Sequence, residues 1–192
     1  FGKGGIAREV VSWIKGYPYG TEILGYVTSD DLSPLEDARV EGIVIIIGTP
    51  SVKKKVYEQE ILSLGRKFCF STYIHPNVVW SHEHITMGKG NIICPGNVFT
   101  TDITIGDFNL FNMSCTIGHD TIIGDYNVIN PQVAISGDVT IGDCCLMGTG
   151  AVILQGLKIG NNATVGAGAV VTKDVGHNTT VVGVPAREMK AG

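Results

Sequence analysis

The sequence predicts two structural regions: a small α/β region built on a short parallel sheet over residues 1–73, then a parallel β-helix over residues 74–192. Three observations carry this expectation. A large apolar residue recurs at every sixth position through fifteen consecutive units, glycine is frequent (26 of 192 residues) without the one-in-three spacing of collagen, and the texture changes at Ile74-His75-Pro76.

In the first region, Gly2-Lys3-Gly4-Gly5 leads into Ile6 to Ile14, where Ile6, Val10, Trp13 and Ile14 fall on one helical face. A strand is expected at Glu22 to Val27, followed by the acidic pair Asp30-Asp31. Ile43 to Ile47 reads as a buried strand ending at Gly48-Thr49, Ser51 to about Leu64 as a helix, and Lys67 to Tyr73 as a last strand. Strands alternating with helices predict a small parallel sheet.

Written in sixes from Ile85, the second region places Met87, Ile93 and Phe99, then an unbroken series to Val165 and Val171, at the third place of each unit. That period fits neither a 3.6-residue helix nor a two-residue strand alternation. It fits short strands joined by tight corners, with three units to a coil of 18 residues. The third place points inward, and the fourth, often Gly and otherwise Asn, Ser or Thr, is expected to turn the corner at positive φ. Residues 85–174 give five coils, a column of roughly 24 Å at the strand spacing of about 4.8 Å. The spacing leaves the hand of the coil open. After Val175 the repeat lapses, and the tail is expected to cap the open end.

Composition excludes several classes of function. The formal charge is −4, and the one basic cluster, Lys53-Lys54-Lys55, is too small for the concentrated basic face that nucleic-acid binding requires. The longest apolar run, Ile43 to Ile47, is far shorter than the roughly 20 residues of a membrane-spanning helix. Neither a nucleic-acid partner nor membrane insertion is expected. Cys69, Cys94, Cys115, Cys144 and Cys145 form no CxxC pair and read as small buried residues of a reducing, cytoplasmic compartment. No metal site is expected. His82 and His84 have a spacing that could ligate a metal on a strand face, but no Cys or carboxylate pattern supports it, so His75, His82 and His84 are assigned to the surface.

Because residue n lies beneath n+18, the repeat names neighbours directly. The column through His119 runs Thr101, His119, Gly137, Gln155, Lys173, which puts His119 on an outer corner, and it is the only histidine of the regular coils. Gly137 above it leaves a notch and a backbone N–H, and Asp120 beside it can orient the imidazole. Asp107, Asp125, Asp143 and Asn161 hold the matching place on another edge and are expected to be solvated. An equally economical reading makes His119 one more polar corner residue, and Asp120, which shares its column with Asp102, Asp138 and Asp174, a residue that satisfies turn amides.

The stretch from Asn112 to Pro131, with Cys115-Thr116-Ile117-Gly118-His119-Asp120 at its centre, resembles the active-site segment of bacterial sugar acyltransferases of the hexapeptide-repeat type. The likeness is greatest to the N-acetyltransferases of nucleotide-linked 4-amino sugars of the UDP-bacillosamine pathway type. It extends over the GxGG loop, the acidic pair, Ile47-Gly48, the repeat array and Gly183-Val184-Pro185-Ala186. The resemblance implies a left-handed β-helix and a homotrimer with acetyl-CoA between adjacent columns. It implies His119 as general base, Asp120 as its partner, and acetyl-CoA contacts at Gly137, Thr149, Ala167 and Lys173, with Asn112 near the acceptor. Lys173, three coils above His119, also suits the phosphates at the end of a pantetheine arm, although a solvated corner lysine accounts for it equally well. Three positions depart from the family: Val128 and Ile6 stand where histidines are common, and Gly118 where an acidic residue often precedes the base.

The N-terminal region is expected to be a Rossmann-like domain that holds the nucleotide of a sugar nucleotide. Gly4 and Gly5 would offer amides to a phosphate or sugar at a helix start, Asp30 or Asp31 would bind ribose or base, and Gly48 and Thr49 would end the central strand on the same edge. The leading function is therefore an acetyl-CoA-dependent N-acetyltransferase. A sialic-acid type O-acetyltransferase, a zinc hydratase of the γ-carbonic anhydrase type, which needs several histidines, and a non-catalytic sugar-nucleotide scaffold are the alternatives.

Overall fold

The computed structural model describes residues 4–16, 27–28, 30–37 and 40–189. The chain divides into two compact units, Phe1–Ser71 and Thr72–Gly192.

In the first unit, helix α1 (Gly5–Gly16) buries Ala7, Val10 and Val11, with Ile6, Trp13 and Ile14 half-buried beside them. Helix α2 (Pro50–Lys55) widens into a π turn at Val56–Ile61 and tightens into a 3-10 turn at Leu62–Leu64. Gly65, at φ +65°, closes it as a left-handed C-terminal glycine. The expected helix is thus present with a changing pitch. The expected Rossmann-like sheet is not shown: among the described residues this unit contains isolated bridges. Ile43, Ile45 and Ile46 are buried, and Gly42 forms a parallel bridge with Cys69, with Ile43 N–H donating to the Cys69 carbonyl at 2.9 Å. Lys67 to Tyr73 likewise contributes one bridge to this unit. The strand expected at Glu22 to Val27 lies outside the described residues apart from Val27, which is buried, and so do Gly2 and Lys3.

The second unit is a β-solenoid of about six turns. Strands of two or three residues stack into three sheets, one of eight strands and two of five, all parallel except at the last strand. The expected 18-residue register holds through the centre, as in Thr116↔Ala134↔Val152↔Val170. It changes at both ends. Tyr73 pairs with Ile92 and Val79 with Val98, nineteen residues on, whereas Thr164 pairs with Thr180, sixteen on. Arg187–Glu188 then folds back antiparallel on Thr180–Val182 and covers the final parallel edge.

Every third-place residue from Ile93 to Val171 is buried, and first-place residues such as Val133, Val139, Ala151 and Ala163 fill the core between them. Phe99 and Phe111 meet edge to face at 5.1 Å. The corners work differently from expectation. Positive φ falls at the sixth place (Asp102, Phe108, Ser114, Asp120, Tyr126 and onward), not the fourth. Where glycine holds the fourth place, the coil above lies directly against it: a Cβ on Gly106 would overlap Asp125 and the Gly124 backbone.

Polar ladders run along the column. Inside, the Asn91, Asn109 and Asn127 side chains each accept the N–H of the residue one coil above, at 2.7–2.8 Å. On one outer edge, Asp107, Asp125, Asp143 and Asn161 each accept the N–H one coil below, at 2.7–3.0 Å. The three aspartates are therefore half-buried structural acceptors and not the solvated residues expected.

Candidate active site

Strand Thr116–Ile117 ends at Gly118, where a Cβ would overlap the Gly137 nitrogen, so only glycine lets the corner pass beneath the next coil. His119 follows, on the outer edge. Its Nδ1 lies 2.7 Å from Asp120 Oδ2, with the two side chains 50% and 60% exposed. Asp120 occupies the left-handed corner position at φ +57°. With Nδ1–H donated to the carboxylate, Nε2 carries the free lone pair and faces the coil above. There the ring occupies the space that a side chain at Gly137 would fill, since a Cβ would overlap Nε2 and Cε1. The expected notch is thus present and already holds the His119 ring.

Gly137 is buried, and its N–H has no hydrogen-bond partner among the described residues. A buried unpaired amide is rare. The edge bearing Asp107, Asp125 and Asp143 caps every equivalent N–H with a side chain from the next coil. The His119 edge has no such caps among the described residues, at Thr101, His119 and Gln155 as at Gly137, and at Gly137 this leaves a donor in the coil above the imidazole.

The other expected residues fall in three places. Lys173 is exposed at the top of the His119 edge, in a cavity of about 270 Å³ that Asp174, Arg187 and Glu188 also line. Thr149 and Ala167 are exposed and stacked on the preceding edge, across the face that ends at His119. Asn112 closes that preceding corner, at the far end of strand Thr116–Ile117, so one chain does not bring it to His119. Its Oδ1 accepts the Met113 N–H at 2.9 Å, and the left-handed position of this corner belongs to Ser114.

In the first unit, Gly4 and Gly5 are exposed at the start of α1 with open space around both. Gly48 and Thr49 are exposed ahead of α2, and the Thr49 carbonyl accepts the Lys53 N–H at 3.0 Å. Asp30 is exposed in a tight turn. Asp31 is engaged: its Oδ1 accepts the Ser33 N–H at 3.1 Å and the Ser33 hydroxyl at 2.7 Å, starting the short helix Ser33–Glu36.

Among the described residues no three His, Cys, Asp or Glu gather to hold a metal ion, and no helix is long and apolar enough to cross a membrane. His75, expected at the surface, is buried; burial lowers its pKa, and its Nδ1 accepts the Asn77 N–H at 3.0 Å. His84 is at the surface as expected, but it approaches Asp102, one coil above, at 3.3 Å. The signal for this contact is present in the sequence, since residues 84 and 102 differ by one period.

Cysteine burial is uneven: Cys94, Cys115 and Cys145 are buried, Cys144 is half-buried at a left-handed corner, and Cys69 is exposed. Burial pushes the Cys115 and Cys145 thiols up to about 11, so both stay protonated and poorly nucleophilic at neutral pH. A thiol reagent at pH 8 is expected to label Cys69 first and to reach Cys94, Cys115 and Cys145 only on unfolding. Rapid labelling of Cys115 in the folded protein, read by peptide mass, would contradict this.

Comparison with known proteins places the fold in a family. Residues 120–155 match the family described as bacterial transferase hexapeptide (six repeats), and residues 138–173 match the hexapeptide repeat of succinyl-transferase. WeeI from Acinetobacter baumannii AYE is 31% identical with a TM-score of 0.82, the match covering 98% of this chain and 97% of that one. This chain belongs to the hexapeptide-repeat β-helix acyltransferases. Two further structures of this kind carry ligands. Perosamine N-acetyltransferase from Caulobacter crescentus, a histidine mutant in complex with CoA and GDP-perosamine, is 25% identical with a TM-score of 0.90, covering 99% of this chain and 95% of its own. The acetyltransferase domain of PglB from Neisseria gonorrhoeae FA1090, in complex with acetyl coenzyme A, is 25% identical with a TM-score of 0.81, covering 98% and 96%. No curated protein matches the sequence.

Proposed function

We propose that this hexapeptide acyltransferase is an acetyl-CoA-dependent N-acetyltransferase whose acceptor is a nucleotide-linked amino sugar, preferentially a 4-amino sugar. The observation that carries the reading is the unpartnered Gly137 N–H above the Nε2 of an imidazole that Asp120 holds through Nδ1. The acceptor amine attacks the thioester carbonyl, forming the C–N bond, while His119 Nε2 takes the amine proton. The Gly137 N–H meets the carbonyl oxygen as it gains charge, and Asp120 balances the imidazolium. When the C–S bond breaks, the thiolate sulfur recovers the proton from His119. No covalent enzyme intermediate is needed, which agrees with buried, protonated thiols at Cys115 and Cys145.

The ligands named for the neighbouring structures, acetyl-CoA, CoA and GDP-perosamine, support this choice of donor and acceptor class. Gly137 and Lys173 lie on the His119 edge, whereas Thr149 and Ala167 lie on the preceding one. A donor that touches all four takes them from two adjacent columns, which favours a homotrimer. A left-handed coil, cytoplasmic placement and an N-terminal unit binding the nucleotide through Gly4, Gly5, Asp30, Asp31, Gly48 and Thr49 belong to the same reading, as does Asn112 approaching the acceptor from a neighbouring column.

The test is release of free CoA from acetyl-CoA over a panel of UDP-, GDP- and dTDP-linked 4-amino sugars with free sialic acid included. Turnover with at least one amino-sugar nucleotide is expected. Turnover of sialic acid alone, or of nothing, would overturn the reading.

A further inference from the structure

We propose that His84 and Asp102 form a binding pair for the acceptor, in which His84 Nε2 accepts a hydroxyl of the sugar whose amine faces His119; this rests on the function proposed above. The edge has two parallel columns. Glu83, Thr101, His119 and Gly137 stack in one, and His84, Asp102, Asp120 and Asp138 in the other. The stacking is fixed by the backbone: the Asp120 N–H donates to the Thr101 carbonyl at 3.2 Å, the Asp138 N–H to His119 at 2.7 Å, and the Ile103 N–H to His84 at 3.0 Å.

His84 Nδ1 lies 3.3 Å from Asp102 Oδ1, and the Thr101 hydroxyl donates to Asp102 Oδ2 at 3.1 Å. Both carboxylate oxygens are occupied, so Asp102 holds the imidazole. On the edge of Asp107, Asp125 and Asp143, carboxylates cap backbone amides; Asp102 instead faces a histidine, with the two side chains 52% and 60% exposed. With Nδ1–H on Asp102, Nε2 is an acceptor, and it has no partner among the described residues. His119 likewise rests its Nδ1 on a carboxylate, there that of the next residue in its own coil, two coils above His84.

The order along the edge selects the ligand. The amide that receives the thioester oxygen lies above His119, so the acceptor extends from His119 to the other side, toward Asp102 and His84. His84 reaches up to Asp102, whose coil lies one strand spacing of about 4.8 Å below that of His119, roughly the span of a hexose ring. A hydroxyl of that ring can donate to the Nε2 lone pair that remains when Nδ1–H is on Asp102; a phosphate diester has no proton to donate there.

The experiment is steady-state kinetics of His84→Ala, His84→Gln and Asp102→Asn with the best acceptor of the UDP-, GDP- and dTDP-linked panel, and inhibition by the free nucleoside diphosphate. Loss of one hydrogen bond predicts that His84→Ala raises the acceptor KM by roughly five- to twentyfold. The kcat, the acetyl-CoA KM and nucleotide inhibition are expected to stay within about twofold, with partial recovery in His84→Gln and the same direction of change in Asp102→Asn. An unchanged acceptor KM in both His84 variants overturns the inference, and so does a rise confined to acetyl-CoA or weaker nucleotide inhibition. The absence of turnover by the unsubstituted protein overturns the function itself.

Discussion

His119→Asn lowers kcat for acetyl transfer by about two to four orders of magnitude. Asparagine can mimic the hydrogen bond to Asp120 but offers no basic nitrogen, so the amine proton has no acceptor as the C–N bond forms. The side chain is half exposed and outside the apolar core, so the substitution is expected to change stability by no more than about 0.5 kcal/mol. Steady-state CoA release beside a thermal melt separates the two effects. An activity within tenfold of the unsubstituted protein would remove His119 from the chemistry.

Gly137→Ala is expected to lower kcat by about two to three orders of magnitude, within the usual range for loss of a positioned general base. The added Cβ overlaps the His119 ring at Nε2 and Cε1. Relief comes most readily from swinging the ring away, since it is an exposed side chain, and that breaks the 2.7 Å contact with Asp120. One methyl group thus displaces the base and shields the amide. Gly118→Ala differs, because its Cβ meets the Gly137 nitrogen and the Ser136 carbonyl carbon, and neither can rotate aside. That variant is expected to lose stability as well as rate. Normal kcat in Gly137→Ala, measured by the same assay, would show that the chemistry does not need the His119 ring in its place beneath Gly137.

The centre of the solenoid is legible in the sequence because burial there depends on residue size at fixed intervals. A sixfold apolar period gives the faces, the 18-residue register and the location of His119 without coordinates. Backbone detail is less legible. The fourth-place glycines suggest positive φ, but their role is steric, and the left-handed position two residues later tolerates Asp102, Phe108 and Tyr126 as well as glycine. The side-chain caps on Lys89, Asp107, Asp125 and Asp143 escape sequence reasoning because a surface aspartate and a structural acceptor look alike until one asks which amide lies beneath.

The ends of the column lose the period. Nineteen residues separate Tyr73 from Ile92 and sixteen separate Thr164 from Thr180, so stacking by eighteens fails there. His84, at the boundary of the regular coils, can still be matched to Asp102 by counting. In the first unit the apolar stretch Ile43 to Ile47 signals burial at Ile43, Ile45 and Ile46, because hydrophobicity reports exclusion from water, and by itself says nothing of which strand lies beside it.

The most direct test of the account is a crystal structure with acetyl-CoA bound. The thioester oxygen is expected about 2.7–3.1 Å from the Gly137 nitrogen, with His119 Nε2 open toward the face from which an amine reaches the carbonyl carbon. A thioester bound away from Gly137, or a His119 ring turned from it with Nε2 engaged elsewhere, would contradict the account.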